Sequence, residues 1–341
     1  MGYKFSLPSL NALLKDLSKD YLIFAPKRFE GQAPYSDLDS IRYGEIERIE
    51  EAELEQKSHY SMKEVFYPIS ETLFYFTENT VTESEPRIKK DALVFLRSCD
   101  LHSVKRLDAI YLENKFADHY YKRLREKMKF VLIGCPTAYD NCFCVDMETN
   151  KSDNYAASID RDGDFFYMDV RDEALDAVFE RHSEENLSVE PRYVTETPTR
   201  VKLSDAIDPH KVLTSSFWDQ YDKRCIACGR CNFVCPTCTC FTMQDLFYQD
   251  NGRAGERRRV HASCMVDGFT DVAGGGKYRD KHGQRMRFKT LHKVYDFKKR
   301  FGYHMCTGCG RCDDVCPEYI SFSTMVTEVA SMTKDKEEEN A

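Results

Sequence analysis

Two stretches decide the reading: CIACGRCNFVCP at Cys225–Pro236 and CTGCGRCDDVCP at Cys306–Pro317. Both spell C-x2-C-x2-C-x3-C-P, and they form the one visible internal repeat of the chain. Gly229 and Gly310 each follow the second Cys, where a missing Cβ lets backbone pass close to a bulky group. Pro236 and Pro317 each turn the chain away after the last Cys.

Three thiolates at x2 spacing wrap three corners of a [4Fe–4S] cube, and the fourth Cys, before Pro, reaches the other cube. The spacing therefore predicts one cluster on Cys225, Cys228, Cys231 and Cys316, and a second on Cys306, Cys309, Cys312 and Cys235. Zinc also uses C-x2-C pairs, but zinc does not call for two copies of this quartet with its Pro. The spacings Cys225–Cys231 and Cys312–Cys316 also occur beside sirohaem in sulfite reductases. Here Cys228 and Cys309 complete both quartets, so no sirohaem site is expected on this chain.

The chain has 341 residues and fifteen Cys, with 42% hydrophobic and 31% charged residues. No run approaches the ~20 apolar residues of a membrane span, and no signal peptide is visible at the N-terminus. With an odd number of Cys and no export signal, metal binding is a better reading than a disulfide framework. The sequons at Asn150 and Asn186 then carry no meaning, and the N-terminal MGYKFS is too loose a match to imply myristoylation.

The formal net charge is −8. Residues 251–300 run the other way, with fourteen Lys and Arg against five Asp and Glu. No nucleic-acid module accompanies that basic segment, so nucleic acid is not expected as a partner. It suits an acidic partner face, an anionic substrate, or the surroundings of anionic clusters, whose reduced state a nearby cation favours.

Seven Cys lie outside the quartets. Cys99 and Cys135 each follow a short apolar strand-like run, Ala92–Leu96 and Phe130–Gly134, and Cys142 and Cys144 share one loop. If the two strands are adjacent and parallel, their ends meet at one sheet edge. These four thiols are therefore candidate ligands of a third [4Fe–4S] cluster, with buried free thiols as the alternative. Cys238, Cys240 and Cys264 are left unassigned. Trp218 is expected to serve packing, and Arg257–Arg259 to form a solvated or partner-facing run. His102, His261 and His292 are expected at the surface or in packing. No catalytic residue stands out: there is no G-x-G-x-x-G after a strand and no P-loop.

The expected fold class is α+β. Helical spacing over Leu7–Leu17, strands at Tyr21–Ala25, Tyr67–Phe76 and Phe165–Val170, helical character over Val104–Arg125 and a helix at Glu173–Arg181 give a mixed α/β domain over 1–185. A polar, Pro-containing linker covers 186–213. A mainly helical ferredoxin-like domain follows over 214–330, then a polar tail over 331–341.

The quartets with their flanks, together with Phe217-Trp218, CPTCTCF at Cys235–Phe241, GERRR at Gly255–Arg259 and ASCM at Ala262–Met265, resemble the ferredoxin-like iron–sulfur subunit of anaerobic sulfite reductases. So do Phe24-Ala-Pro26, Lys57-Ser-His59, ETLFYF at Glu71–Phe76, Cys99-Asp100 and NCFC at Asn141–Cys144. A wider group, including the β subunits of cytoplasmic NAD(P)-linked hydrogenases, shares the architecture. The resemblance covers nearly the whole chain. It implies a cytoplasmic, anaerobic complex in which this chain relays electrons from a NAD(P)H-oxidising flavin subunit to a sirohaem subunit that reduces sulfite to sulfide. The alternatives are the iron–sulfur subunit of a soluble hydrogenase or sulfhydrogenase, and a zinc-binding scaffold. The Cys spacing by itself speaks only to electron transfer.

Overall fold

The computed structural model describes residues 1–33, 37–250 and 252–333. Expectations for the tail from Lys334 lie outside them. Twelve strands are described: β1 (Gly2–Ser6), β2 (Tyr21–Phe29), β3 (Ser40–Glu45), β4 (Ser70–Phe76), β5 (Val81–Glu83), β6 (Asp91–Leu96), β7 (Met128–Ile133), β8 (Ala157–Asp162), β9 (Phe165–Asp169), β10 (Glu185–Leu187), β11 (Phe241–Phe247) and β12 (Gly255–His261). Eight build a sheet in the order β10-β1-β9-β8-β7-β6-β2-β3. Its centre, β2-β6-β7-β8, is parallel, and its flanks are antiparallel.

The parallel strands read as unbroken apolar runs because both faces are covered. Along β6, Leu93 and Phe95 enter one core while Ala92, Val94 and Leu96 enter the other; along β7, Val131 and Ile133 oppose Phe130 and Leu132. That alternation is the period of two dictated by the strand pleat. Helices Leu7–Leu17 and Glu173–His182 contribute to the first core through Leu10, Leu13, Leu175 and Phe179. Helices Ser98–Tyr111 and His119–Arg125 contribute to the second through Leu101, Val104, Tyr121 and Leu124. The sequence joins these last two as one helical stretch; the chain leaves the helix after Tyr111 and re-enters it with the Asp118 side chain accepting from the Tyr121 N–H. Asp118 is thus a helix N-cap.

The α+β class holds. One difference lies in the second half, where the sequence suggests mainly helices. There β11 and β12 pair with each other and extend a four-stranded sheet, β11-β12-β4-β5. Arg257, Arg258 and Arg259 look like a solvated run but sit on β12, where side chains alternate between faces. Arg259 is 4% exposed. Its guanidinium lies 2.9 Å from both Glu71 and Asp118, so opposite charge, not solvent, accommodates it.

The chain packs as two compact units. The first comprises 1–137, 150–195 and 242–260, and holds both sheets. Of the described residues, the second comprises 138–149, 196–241 and 261–333. Its core gathers Trp218, Tyr221, Met265, Met286, Val294 and Met325. Trp218 serves packing as expected: it is buried, and its indole N–H donates to the Val212 carbonyl at 2.8 Å. Among the described residues no helix is long and apolar enough to cross a membrane.

Candidate iron–sulfur centres

Within the second unit the two repeats fold alike. Gly229 (φ +74°, ψ −7°) and Gly310 (φ +73°, ψ −7°) each precede a four-residue helix, Arg230–Phe233 and Arg311–Asp314. Two residues earlier, Ala227 (φ +54°) and Gly308 (φ +63°) also turn left-handed. Each C-x2-C therefore becomes a tight loop that turns N–H groups inward. Gly308 N–H points to Cys306 Sγ at 3.4 Å, and Ile320 N–H to Cys316 Sγ at 3.3 Å.

The loops enclose two cavities. Cys225, Cys228, Cys231 and Cys316 line the first. Cys235, Cys306, Cys309 and Cys312 line the second. Cys312 also borders the first. The thiols interact in the same sets. Burial pushes the Cys225 thiol up, and Cys231, Cys228 and Cys316 add to that shift. Burial pushes the Cys306 thiol up to about 12, with Cys309 and Cys235 adding to it and Lys293 opposing it. Cys312 is raised mainly by burial, with Asp313, Cys235 and Cys309 contributing. The second set is the more enclosed: Cys306 and Cys309 are buried, whereas Cys225 is half-buried and Cys228 exposed.

A cube of iron and sulfide is larger than an ion and needs thiolates spaced around a void. The donor sets fit such groups: with Cys312 counted to the second cavity, which it also lines, each has four thiols, three from one repeat and one from the other. Among the described residues no three His, Cys, Asp or Glu side chains close on a single point as around one ion.

Two lysines stand beside these thiols, and the sequence did not single them out. Both belong to one continuous helical stretch, His282–Leu291, then a π-helical turn His292–Asp296, then Phe297–Phe301. Gly283 lets this stretch start against the Trp218 carbonyl, where any Cβ would collide, and its N–H donates to Asp222 at 2.8 Å. Lys289 is 4% exposed and Lys293 3%. Lys289 borders both cavities, and Lys293 only the second. Burial pulls both ammonium groups down. The thiols outweigh it, chiefly Cys231 and Cys312 at Lys289 and Cys235 and Cys238 at Lys293, so both are held above the ordinary lysine value. The π turn also frees the Lys293 carbonyl, which accepts from Met305 N–H at 2.8 Å and Cys306 N–H at 3.4 Å. π turns of this kind recur at functional sites. The signal for the lysines is helical spacing: Met286, Lys289, Lys293 and Phe297 form one buried stripe, and two cations in an apolar stripe call for an anionic neighbour.

The remaining candidates fall in both units. Cys99 lies in the first turn of Ser98–Tyr111, directly after β6, and Cys135 follows β7. β6 and β7 are adjacent and parallel, so both residues follow strand ends at one sheet edge. Gly134 precedes Cys135 because any Cβ there would overlap the Asp160 carboxylate. Cys142 and Cys144 belong to the second unit and are buried. Their loop packs on the Cys306 loop, with Phe143 N–H donating to Gly308 O at 2.8 Å and Thr149 Oγ1 to Thr307 O at 2.7 Å. Cys264 is buried beside Cys240, whose hydrogen bond, together with burial, raises its thiol far above the usual range. Asn232 Nδ2 donates to Cys264 Sγ at 3.2 Å. His102 bonds the Lys151 carbonyl at 2.7 Å, and His292 stacks on Phe288, its pKa lowered to about 4 mainly by burial.

Residues 224–320 match the 4Fe-4S dicluster domain. The chain is 30% identical over 323 residues to the sulfhydrogenase 2 subunit beta of Pyrococcus furiosus, covering 87% of this chain and 91% of the relative. No solved structure matches. The fold and the two thiol-lined cavities thus define an iron–sulfur electron-transfer protein with a [4Fe–4S] dicluster domain. The chain belongs to the sulfhydrogenase β-subunit family.

Proposed function

We propose that this chain is the electron-relay subunit of a cytoplasmic redox complex, with [4Fe–4S] clusters on Cys225, Cys228, Cys231 and Cys316 and on Cys306, Cys309, Cys312 and Cys235. The observation that carries the reading is the pairing of cavities and thiols, each quartet drawing three cysteines from one repeat and one from the other. Each bound cluster would supply one-electron transfer at a potential set by charge, hydrogen bonds and solvent. The protein's part is to hold the thiolates, exclude water from the second site and place cations beside both.

The flanking motifs favour a complex that reduces sulfite to sulfide. Its electrons would come from a NAD(P)H-oxidising flavin subunit and pass to a sirohaem subunit. The kinship with a sulfhydrogenase subunit favours a second reading, in which the partner is a hydrogenase subunit. Anaerobic purification of the native complex separates them. Co-purifying sirohaem supports the first, a nickel–iron subunit replaces it with the second, and zinc without iron removes both. The chain alone should accept electrons from a low-potential donor without turning over sulfite. Cys99, Cys135, Cys142 and Cys144 stand as the proposed ligands of a third cluster. About twelve iron atoms per reconstituted chain support that proposal, and about eight end it.

A further inference from the structure

Lys289 and Lys293 divide the two cavities unequally. The Lys289 side chain borders both, whereas Lys293 borders only the second and donates to Thr237 Oγ1 at 2.8 Å. Asp313 and Glu318 border the first cavity, and the Asp313 carboxylate also lies 3.4 Å from Sγ of Cys312, which lines both. The second is also the more enclosed, with Cys306 and Cys309 buried. Burial disfavours the more negative, reduced state of an anionic cluster, and a nearby cation favours it. An enclosed site therefore needs a compensating charge of its own.

We propose that Lys289 is a positioning cation shared by both clusters, raising the reduction potential of each, and that Lys293 is private to the cluster on Cys235, Cys306, Cys309 and Cys312, offsetting its burial. The proposal rests on the reading of the two cavities as cluster sites. Both charges stay fixed at Nζ, and no proton moves. Lys289 shares a lining with Cys231 and Cys312, which come from different quartets. Buried charges of this kind are screened little by salt, so the effect should persist at high ionic strength.

The test is a redox titration, followed by electron paramagnetic resonance, of the full reconstituted chain and its variants Lys289→Met, Lys289→Arg and Lys293→Met. Iron content and the [4Fe–4S] spectrum are measured first. If the wild-type chain holds no such clusters, the functional reading fails, and this inference with it. With clusters present, Lys289→Met should lower the equilibrium constant for reduction of both by tenfold or more, about 59 mV for one electron. Lys289→Arg should restore most of that. Lys293→Met should move one cluster and leave the other in place. Unchanged potentials in Lys289→Met, a shift confined to one cluster, or an Arg variant as displaced as the Met variant would overturn the shared role. Should Lys289→Met lose iron, the Lys293→Met arm decides, and an equal shift of both clusters there overturns the proposal.

Discussion

Lys293 Nζ donates to Thr237 Oγ1 at 2.8 Å, two residues beyond Cys235, while the Lys293 carbonyl accepts the N–H of Met305 and of Cys306. One residue thus ties the fourth Cys of the first repeat to the first Cys of the second. The two segments are far apart in sequence, and the π turn at His292–Asp296 supplies the free carbonyl.

Thr237 is 1% exposed, and Cys235 Sγ lies 3.5 Å from its hydroxyl. Thr237→Val keeps the shape and removes the acceptor, so a buried ammonium loses a partner. The expected cost is about 1–3 kcal/mol of stability, with iron content kept. Anaerobic denaturant unfolding measures it, and a variant as stable as the wild type would show that Lys293 finds equivalent partners elsewhere.

The crossed quartets make an asymmetric prediction. Cys235→Ser should impair the cluster on Cys306, Cys309 and Cys312, although Cys235 is adjacent in sequence to the other set. Cys316→Ser should impair the cluster on Cys225, Cys228 and Cys231. Iron content and electron paramagnetic resonance of each variant, compared with the wild type, show which cluster is lost. Loss confined to the sequence-neighbouring cluster in both variants would replace the crossed arrangement with a local one.

These thiols were legible because their information is local: spacing of two and three, then Pro, needs no tertiary context. The parallel strands were legible for a related reason, since β6 and β7 are apolar on both faces. Arg259 and the two lysines were not. A charged residue in a basic run looks solvated until the partner that accommodates it is known, and Glu71 lies nearly two hundred residues away in sequence from Arg259. Strands β11 and β12 were hidden in the same way. The β12 sequence GERRRVH is polar and charged, and its pairing with β4, which brings β11 into the same sheet, is a long-range choice, where tertiary context overrides strand propensity.

Gly310 and Gly302 share a left-handed backbone but not an environment. Gly302 (φ +86°) caps the helix Phe297–Phe301, and an added Cβ there meets nothing. Gly302→Ala should cost only the conformational penalty, about 1–2 kcal/mol. At Gly310 (φ +73°) the Cβ would press into the carbonyl of Asn141, which is backbone and cannot swing aside. That carbonyl begins the loop carrying Cys142 and Cys144, held by Asn141 Nδ2 donating to Asp314 at 2.8 Å and by Phe143 N–H donating to Gly308 O. Gly310→Ala should therefore cost clearly more than Gly302→Ala, and should raise amide hydrogen exchange at Phe143, whose bond to Gly308 the displaced loop would loosen. Comparing the two variants by thermal unfolding cancels the left-handed penalty common to both. Equal costs, with unchanged exchange at Phe143, would mean that the loop does not rest on the Gly310 turn in solution.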